Sequence, residues 1–149
     1  MRRARVLLPV AFAVFVFAGV SFLLARGLSG SGTERGMVLD VVRAQARGDA
    51  AAVLARLPAC RQEPACARAT RDRVARLRRP GDVQLLTYRP SATLALTRKV
   101  GTARVAWRAG TGRPVVQCVR VRRDGPLTGG GVELLSVSAP IPGEAGCGA

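Results

Sequence analysis

Between Arg61 and Arg79 the chain carries seven arginines against two acids, Glu63 and Asp72. A guanidinium is permanently charged and presents a planar fork of donors, so this concentration suits recognition of carboxylate or phosphate groups. Arg68, Arg71, Arg76 and Arg79 are the candidate contacts for an anion or a partner; the competing reading is a solvated helix face. Four cysteines, Cys60, Cys66, Cys118 and Cys147, form the second reactive set. They allow three pairings, and nearness in sequence favours Cys60–Cys66 and Cys118–Cys147. With no histidine and no C-x-x-C pair, neither a zinc site nor a thioredoxin-like redox site is expected. A third set, Asp40, Tyr88, Trp107 and Gln117, could line a pocket for a small apolar ligand. The alternatives are surface exposure for Asp40 and Gln117 and core packing for Tyr88 and Trp107. The sequence shows no Gly-rich phosphate loop and no paired-carboxylate motif, and a His–Asp acid/base pair cannot exist. No catalytic residue and no cofactor are therefore assigned.

The elements that must position these residues begin with Val6 to Ala25, twenty residues without a charge, bounded by Arg5 and Arg26. As a helix this run is about 30 Å long, the thickness of a bilayer's hydrocarbon core. Its phenylalanines and leucines surround the helix rather than forming one stripe, which argues against a core helix. Arg2, Arg3 and Arg5 precede it with no acid, so the N-terminus is expected to stay in the cytoplasm and the rest to be exported. A cleaved signal peptide is the main rival: the run is long for one, and Leu23-Leu24-Ala25 is a poor small-x-small site. The expected organisation is a cytoplasmic tail and single transmembrane anchor at 1–26, and a flexible linker at 27–32. An extracytoplasmic domain at 33–139 and a tail at 140–149 complete it.

Of the 149 residues, 24 are Lys or Arg and 9 are Asp or Glu. The part after the run keeps 21 basic and all 9 acidic residues. Export removes nucleic acid as the natural partner of this charge and leaves lipid head groups, wall polymers and acidic protein faces. It also places the cysteines where disulfides persist. The wealth of Arg, Ala, Gly and Val suggests a GC-rich genome, with actinobacteria the obvious guess.

Within the domain, Thr33 opens a helix whose inward face is Met37, Val38, Val41, Ala44 and Gln45, ended by Gly48. Asp49 caps a second helix with Ala50, Val53, Leu54 and Leu57 inward, stopped before Pro58. A loop holding Cys60 leads to a third helix from Pro64 to Arg79, broken at Pro80-Gly81. From Asp82 the period becomes twofold, predicting strands at Val83–Arg89, Ala92–Thr97, Ala103–Ala109, Val115–Arg122 and Val132–Ser138. The fold expected is α+β: an N-terminal transmembrane helix, then about three helices packed on a curved antiparallel sheet of about five strands.

Trp107 within Val105-Ala106-Trp107-Arg108, the strand Val115–Val121, the Arg123-Asp124-Gly125 turn and the closing strand Val132–Val137 follow a helical first half. In this pattern, covering roughly Thr33 to Ser138, the chain resembles the cystatin-like, nuclear-transport-factor-like superfamily. It is also similar to membrane-anchored actinobacterial proteins of undefined role. The resemblance implies a cone-shaped cavity between helices and sheet, which enzymes of the superfamily line with Asp, His and Tyr; this chain has no histidine. The function expected is a non-catalytic, membrane-anchored interaction domain whose partner is an envelope protein or an anionic lipid or wall polymer. A homodimer is a further option, and the alternative function is a ligand-binding or enzymatic pocket in the cone.

Overall fold

The computed structural model describes residues 2–91, 97–125 and 131–148, with only the backbone described at 2–11 and 23–31. Helix α1 spans Arg2–Arg47, α2 Ala50–Ala55, α3 Pro58–Gln62 and α4 Pro64–Leu77. Strands β1 (Val83–Pro90), β2 (Lys99–Ala109), β3 (Val115–Arg123) and β4 (Val132–Val137) follow. They form one antiparallel meander in the order β1-β2-β3-β4.

The twofold period is what sorts the strands' faces. On β2, Ala103, Val105, Trp107 and Ala109 are buried, and on β3 so are Val115, Gln117, Val119 and Val121. Arg104, Arg108, Cys118 and Arg120 alternate with them and point to the other face. Against the apolar face lie Val38, Val41 and Val42 of α1, Val53 and Leu54 of α2, and Val74 and Leu77 of α4. Leu134 and Val137 of β4 close the cluster. The expected helical faces are thus the ones that pack, and Asp49 caps α2 by accepting from the Ala52 N–H at 2.9 Å. Gly48, with φ of 79°, ends α1 in the left-handed conformation that favours glycine.

Four expectations are corrected. First, no helix among the described residues is long and apolar enough to cross a membrane. Second, the described sheet has four strands rather than five; the strand expected at 92–97 falls largely outside the described residues. Third, residues 27–32, expected as a linker, are helical and belong to α1. Three glycines weaken a helix there without breaking it, because the flanking segments propagate helix through them. Fourth, the loop expected around Cys60 is helix α3, with Pro58 at a first-turn position where its missing N–H costs nothing.

Both disulfides join the cysteines nearest in sequence. Cys60–Cys66 staples α3 to the first turn of α4, with Cα atoms 5.2 Å apart. Cys118–Cys147 ties the C-terminal tail to β3, with Cα atoms 5.6 Å apart. Arg104 holds the same tail by donating to the Ala145 carbonyl at 3.1 Å and to the Gly143 carbonyl.

Candidate anion-binding site

Helix α4 turns Ala67, Thr70, Val74 and Leu77 inward, which leaves Arg68, Arg71 and Arg76 exposed on its outer side. The side chains of these three have no ion pair or hydrogen bond among the described residues; Asp72 shares their face. Arg73 takes a different path. It is half-buried and donates to the Val137 carbonyl, fastening α4 to the end of β4. Burial, and then the neighbouring charge of Arg76, lowers its pKa below the ordinary guanidinium value.

Arg79 does not join Arg68, Arg71 and Arg76. Helix α4 ends at Leu77, and Arg78 is already extended with ψ of 124°. Pro80 keeps the residue before it, Arg79, out of the helical region, so the helix cannot run on through Arg79. The Arg79 N–H then donates to the Ala46 carbonyl of α1 at 2.9 Å. With Arg78 it lines an open groove of about 800 Å³, whose other basic residues are Arg43 and Arg47 of α1. Asp82 is the one carboxylate among the lining residues. The groove wall is fixed by a close backbone contact: Gly81, at φ of 99°, faces Gly110 so closely that a Cβ would lie 2.8 Å from the Gly110 Cα. The Gly110 N–H donates to the Asp82 carbonyl at 3.0 Å.

The spacing along α4 marks Arg68, Arg71 and Arg76 as one exposed face. Arg43 and Arg47 of α1 are not marked by that spacing. Their convergence with Arg78 and Arg79 depends on how α1 and the segment after α4 pack. The turn signal Pro80-Gly81 was the available clue that Arg79 would leave the helix.

The four residues considered for an apolar pocket do not share one. Trp107 is fully buried, and its indole N–H donates to the Gln117 Oε1 at 2.8 Å. Gln117 in turn donates to the Ser138 carbonyl at 2.9 Å. Tyr88 donates its hydroxyl proton to Glu34 of α1. Asp40 pairs with Arg56 at 3.0 Å, both half exposed. Between α1 and the sheet, Val38, Val41, Val42, Val105, Val119 and Leu134 meet with no room for a water molecule. Helix α1 therefore packs directly on the apolar face of the sheet and leaves no cavity between them at these residues.

Glu34 is not among the residues that the sequence singles out. It is buried, and both its oxygens accept from Arg123 of β3, at 2.6 and 2.7 Å. Among the described residues, no group of three His, Cys, Asp or Glu side chains converges to hold a metal ion.

No family model, no curated protein and no solved structure matches this chain. The likeness to the cystatin-like superfamily therefore rests on the residues that suggested it.

Proposed function

We propose that this chain is a non-catalytic binding domain for an anionic partner, working outside the cytoplasm. The observation that carries the reading is the unequal pairing of its arginines. On the sheet side, Arg98, Arg122 and Arg123 have carboxylate partners, Arg108 donates to Gln84, and Arg104 holds the tail. On the helical side Arg56 is paired with Asp40. Arg35, Arg43, Arg47, Arg61, Arg68, Arg71, Arg76, Arg78 and Arg79 have no ion pair among the described residues. A surface on which fixed cations outnumber acids attracts polyanions and steers their approach. Two disulfides support the setting, because such bonds persist in oxidising compartments.

Salt dependence tests the reading. The disulfide-intact chain is titrated with an anionic envelope polymer extract at several ionic strengths, beside a variant with Arg68, Arg71 and Arg76 changed to Gln and another with Arg43 and Arg47 changed to Gln. The expected result is binding that weakens steeply with salt and is reduced in at least one variant. Binding that ignores salt, or that both variants retain in full, overturns the proposal.

A further inference from the structure

Four arginines from two distant stretches line one groove. Arg43 and Arg47 extend from the last turns of α1, while Arg78 and Arg79 belong to the segment that leaves α4. Arg78 lies across Gly48, where a Cβ would stand 3.1 Å from the Arg78 Cδ. The absence of a side chain at the end of α1 is thus what lets Arg78 reach over it. Arg79 is fixed at its backbone by Ala46, and its guanidinium passes near the hairpin turn, with Nη1 3.7 Å from a Cβ built on Gly112.

The arginines are not occupied as helix caps. The carbonyls of Ala44, Gln45 and Ala46 accept from the backbone N–H groups of Asp49, Gly48 and Arg79. Nor does the protein satisfy them fully: the Arg79 Nε is buried and has no acceptor. The same burial closes that nitrogen to a ligand, so an oxyanion in the groove would meet the Nη groups of this half-buried guanidinium.

The charge density narrows the class of ligand. Four guanidiniums and one carboxylate give the lining a net +3. A single carboxylate offsets one of those charges, whereas linked phosphates bring several charges and many acceptor oxygens into a small volume. We infer that the groove between the end of α1 and residues 78–83 binds a phosphate-bearing anion. Arg79 is the half-buried contact, and Arg43, Arg47 and Arg78 are the exposed ones. This inference rests on the anion-binding function proposed above and assigns it a place and a chemistry.

The probe is inorganic pyrophosphate, titrated calorimetrically into the full disulfide-intact chain, with a poly-glutamate of matched charge in parallel. Vesicles of phosphatidylglycerol and of phosphatidylcholine form a second arm. The expected result is saturable pyrophosphate binding, weakened about tenfold or more by Arg79→Gln. Arg47→Gln, an exposed change that leaves the backbone contacts intact, is expected to weaken it less but measurably. Arg68→Gln/Arg71→Gln/Arg76→Gln is expected to leave it within about twofold, because those side chains lie outside the groove. Binding to phosphatidylglycerol vesicles that depends on Arg47 and Arg79 assigns the phosphate to a lipid head group; pyrophosphate binding without vesicle binding assigns a soluble or polymeric source. The inference is overturned if pyrophosphate does not bind saturably, if poly-glutamate binds as well as pyrophosphate, or if Arg47→Gln and Arg79→Gln both leave binding unchanged. Salt-dependent polymer binding that fails only in the α4 variant would overturn the groove while the broader function stands. Loss of all salt-dependent binding would overturn both.

Discussion

Removing the carboxylate of Glu34 is the sharpest test of how α1 is fastened to the sheet. The Glu34 side chain is 4 % exposed and that of Arg123 is 23 % exposed. Two oxygens of one face two nitrogens of the other at 2.6 and 2.7 Å. Tyr88 of β1 donates to the same carboxylate, so one side chain of α1 holds two strands. Breaking a buried pair by deleting one partner costs about 3–5 kcal/mol, because the survivor is left charged and unpaired. Here Arg123 keeps some access to water, so Glu34→Ala is expected at the low end, about 3 kcal/mol. Glu34→Gln retains an acceptor for Tyr88 and is expected to lose about half as much. The assay is urea unfolding followed by the fluorescence of Trp107, the single tryptophan, which is fully buried. With a slope of about 1.5 kcal/mol/M for a domain of this size, the midpoint should fall by about 2 M. Arg123→Met alone and combined with Glu34→Ala closes a double-mutant cycle, and the double variant should lose less than the sum. A midpoint shift below about 0.5 M in Glu34→Ala, with the slope unchanged, would refute the clamp.

The remaining predictions concern the staples, the core and the groove wall. In the chain-entropy model, the Cys118–Cys147 bridge, with a sequence separation of 29, contributes about 3.6 kcal/mol. The Cys60–Cys66 bridge, with a separation of 6, contributes about 2.2 kcal/mol. Replacing both cysteines of each pair by Ser should therefore lower the thermal midpoint more for the former, and a nonreduced digest read by mass spectrometry should return only these two linked peptides. Gln45 is fully buried among apolar side chains, and neither its Nε2 nor its Oε1 has a partner among the described residues. Gln45→Met preserves its shape and should raise stability by about 1–3 kcal/mol; a loss of stability would mean that the amide is satisfied in solution. Gly81→Ala places a Cβ 2.8 Å from the Gly110 Cα at a positive φ, so it should cost about 2 kcal/mol or more and weaken anion binding with it.

What was legible in the sequence is what local periodicity and capping decide. The alternation of Val105, Trp107 and Ala109 with Ala106 and Arg108 marked one face of a strand, and those residues are buried on that face. Asp49 marked the start of α2 by a rule that needs only three residues of context. The disulfides were ordered by loop length alone. Illegible features needed the packing of distant segments. Glu34 and Arg123 are 89 residues apart, and nothing near either names the other. Nothing near Arg43 and Arg47 marks them, because the segment that faces them lies beyond three intervening helices. Arg79 shows how local and distant causes combine. Pro80 takes it out of α4, a local effect, and the Ala46 carbonyl then decides where it goes.

These placements explain why the unpaired charge collects where it does. With 24 bases and 9 acids, one-to-one pairing must leave at least 15 cations without an acid wherever the chain folds. The fold determines which ones. Asp124 and Glu133 lie beside the β3–β4 connection and pair with Arg98 and Arg122. Glu34 is drawn from the helical side into the clamp with Arg123. Each pair on the sheet takes an acid that the helices cannot use, and the Glu34 pair removes one of their own. The helical layer then keeps Asp40 for Arg56 and spends Asp49 on a cap, while α4 retains Asp72 among Arg68, Arg71 and Arg76. Arg89, Lys99, Arg113 and Arg120 stay without an ion pair or side-chain hydrogen bond on the sheet side among the described residues, but they are spread over three strands and a turn. Of the unpaired cations of the helical layer, Arg68, Arg71 and Arg76 share one face of α4, and Arg43, Arg47, Arg78 and Arg79 line the groove. Density sets the local potential, so an anion approaching this protein meets its strongest attraction at that layer.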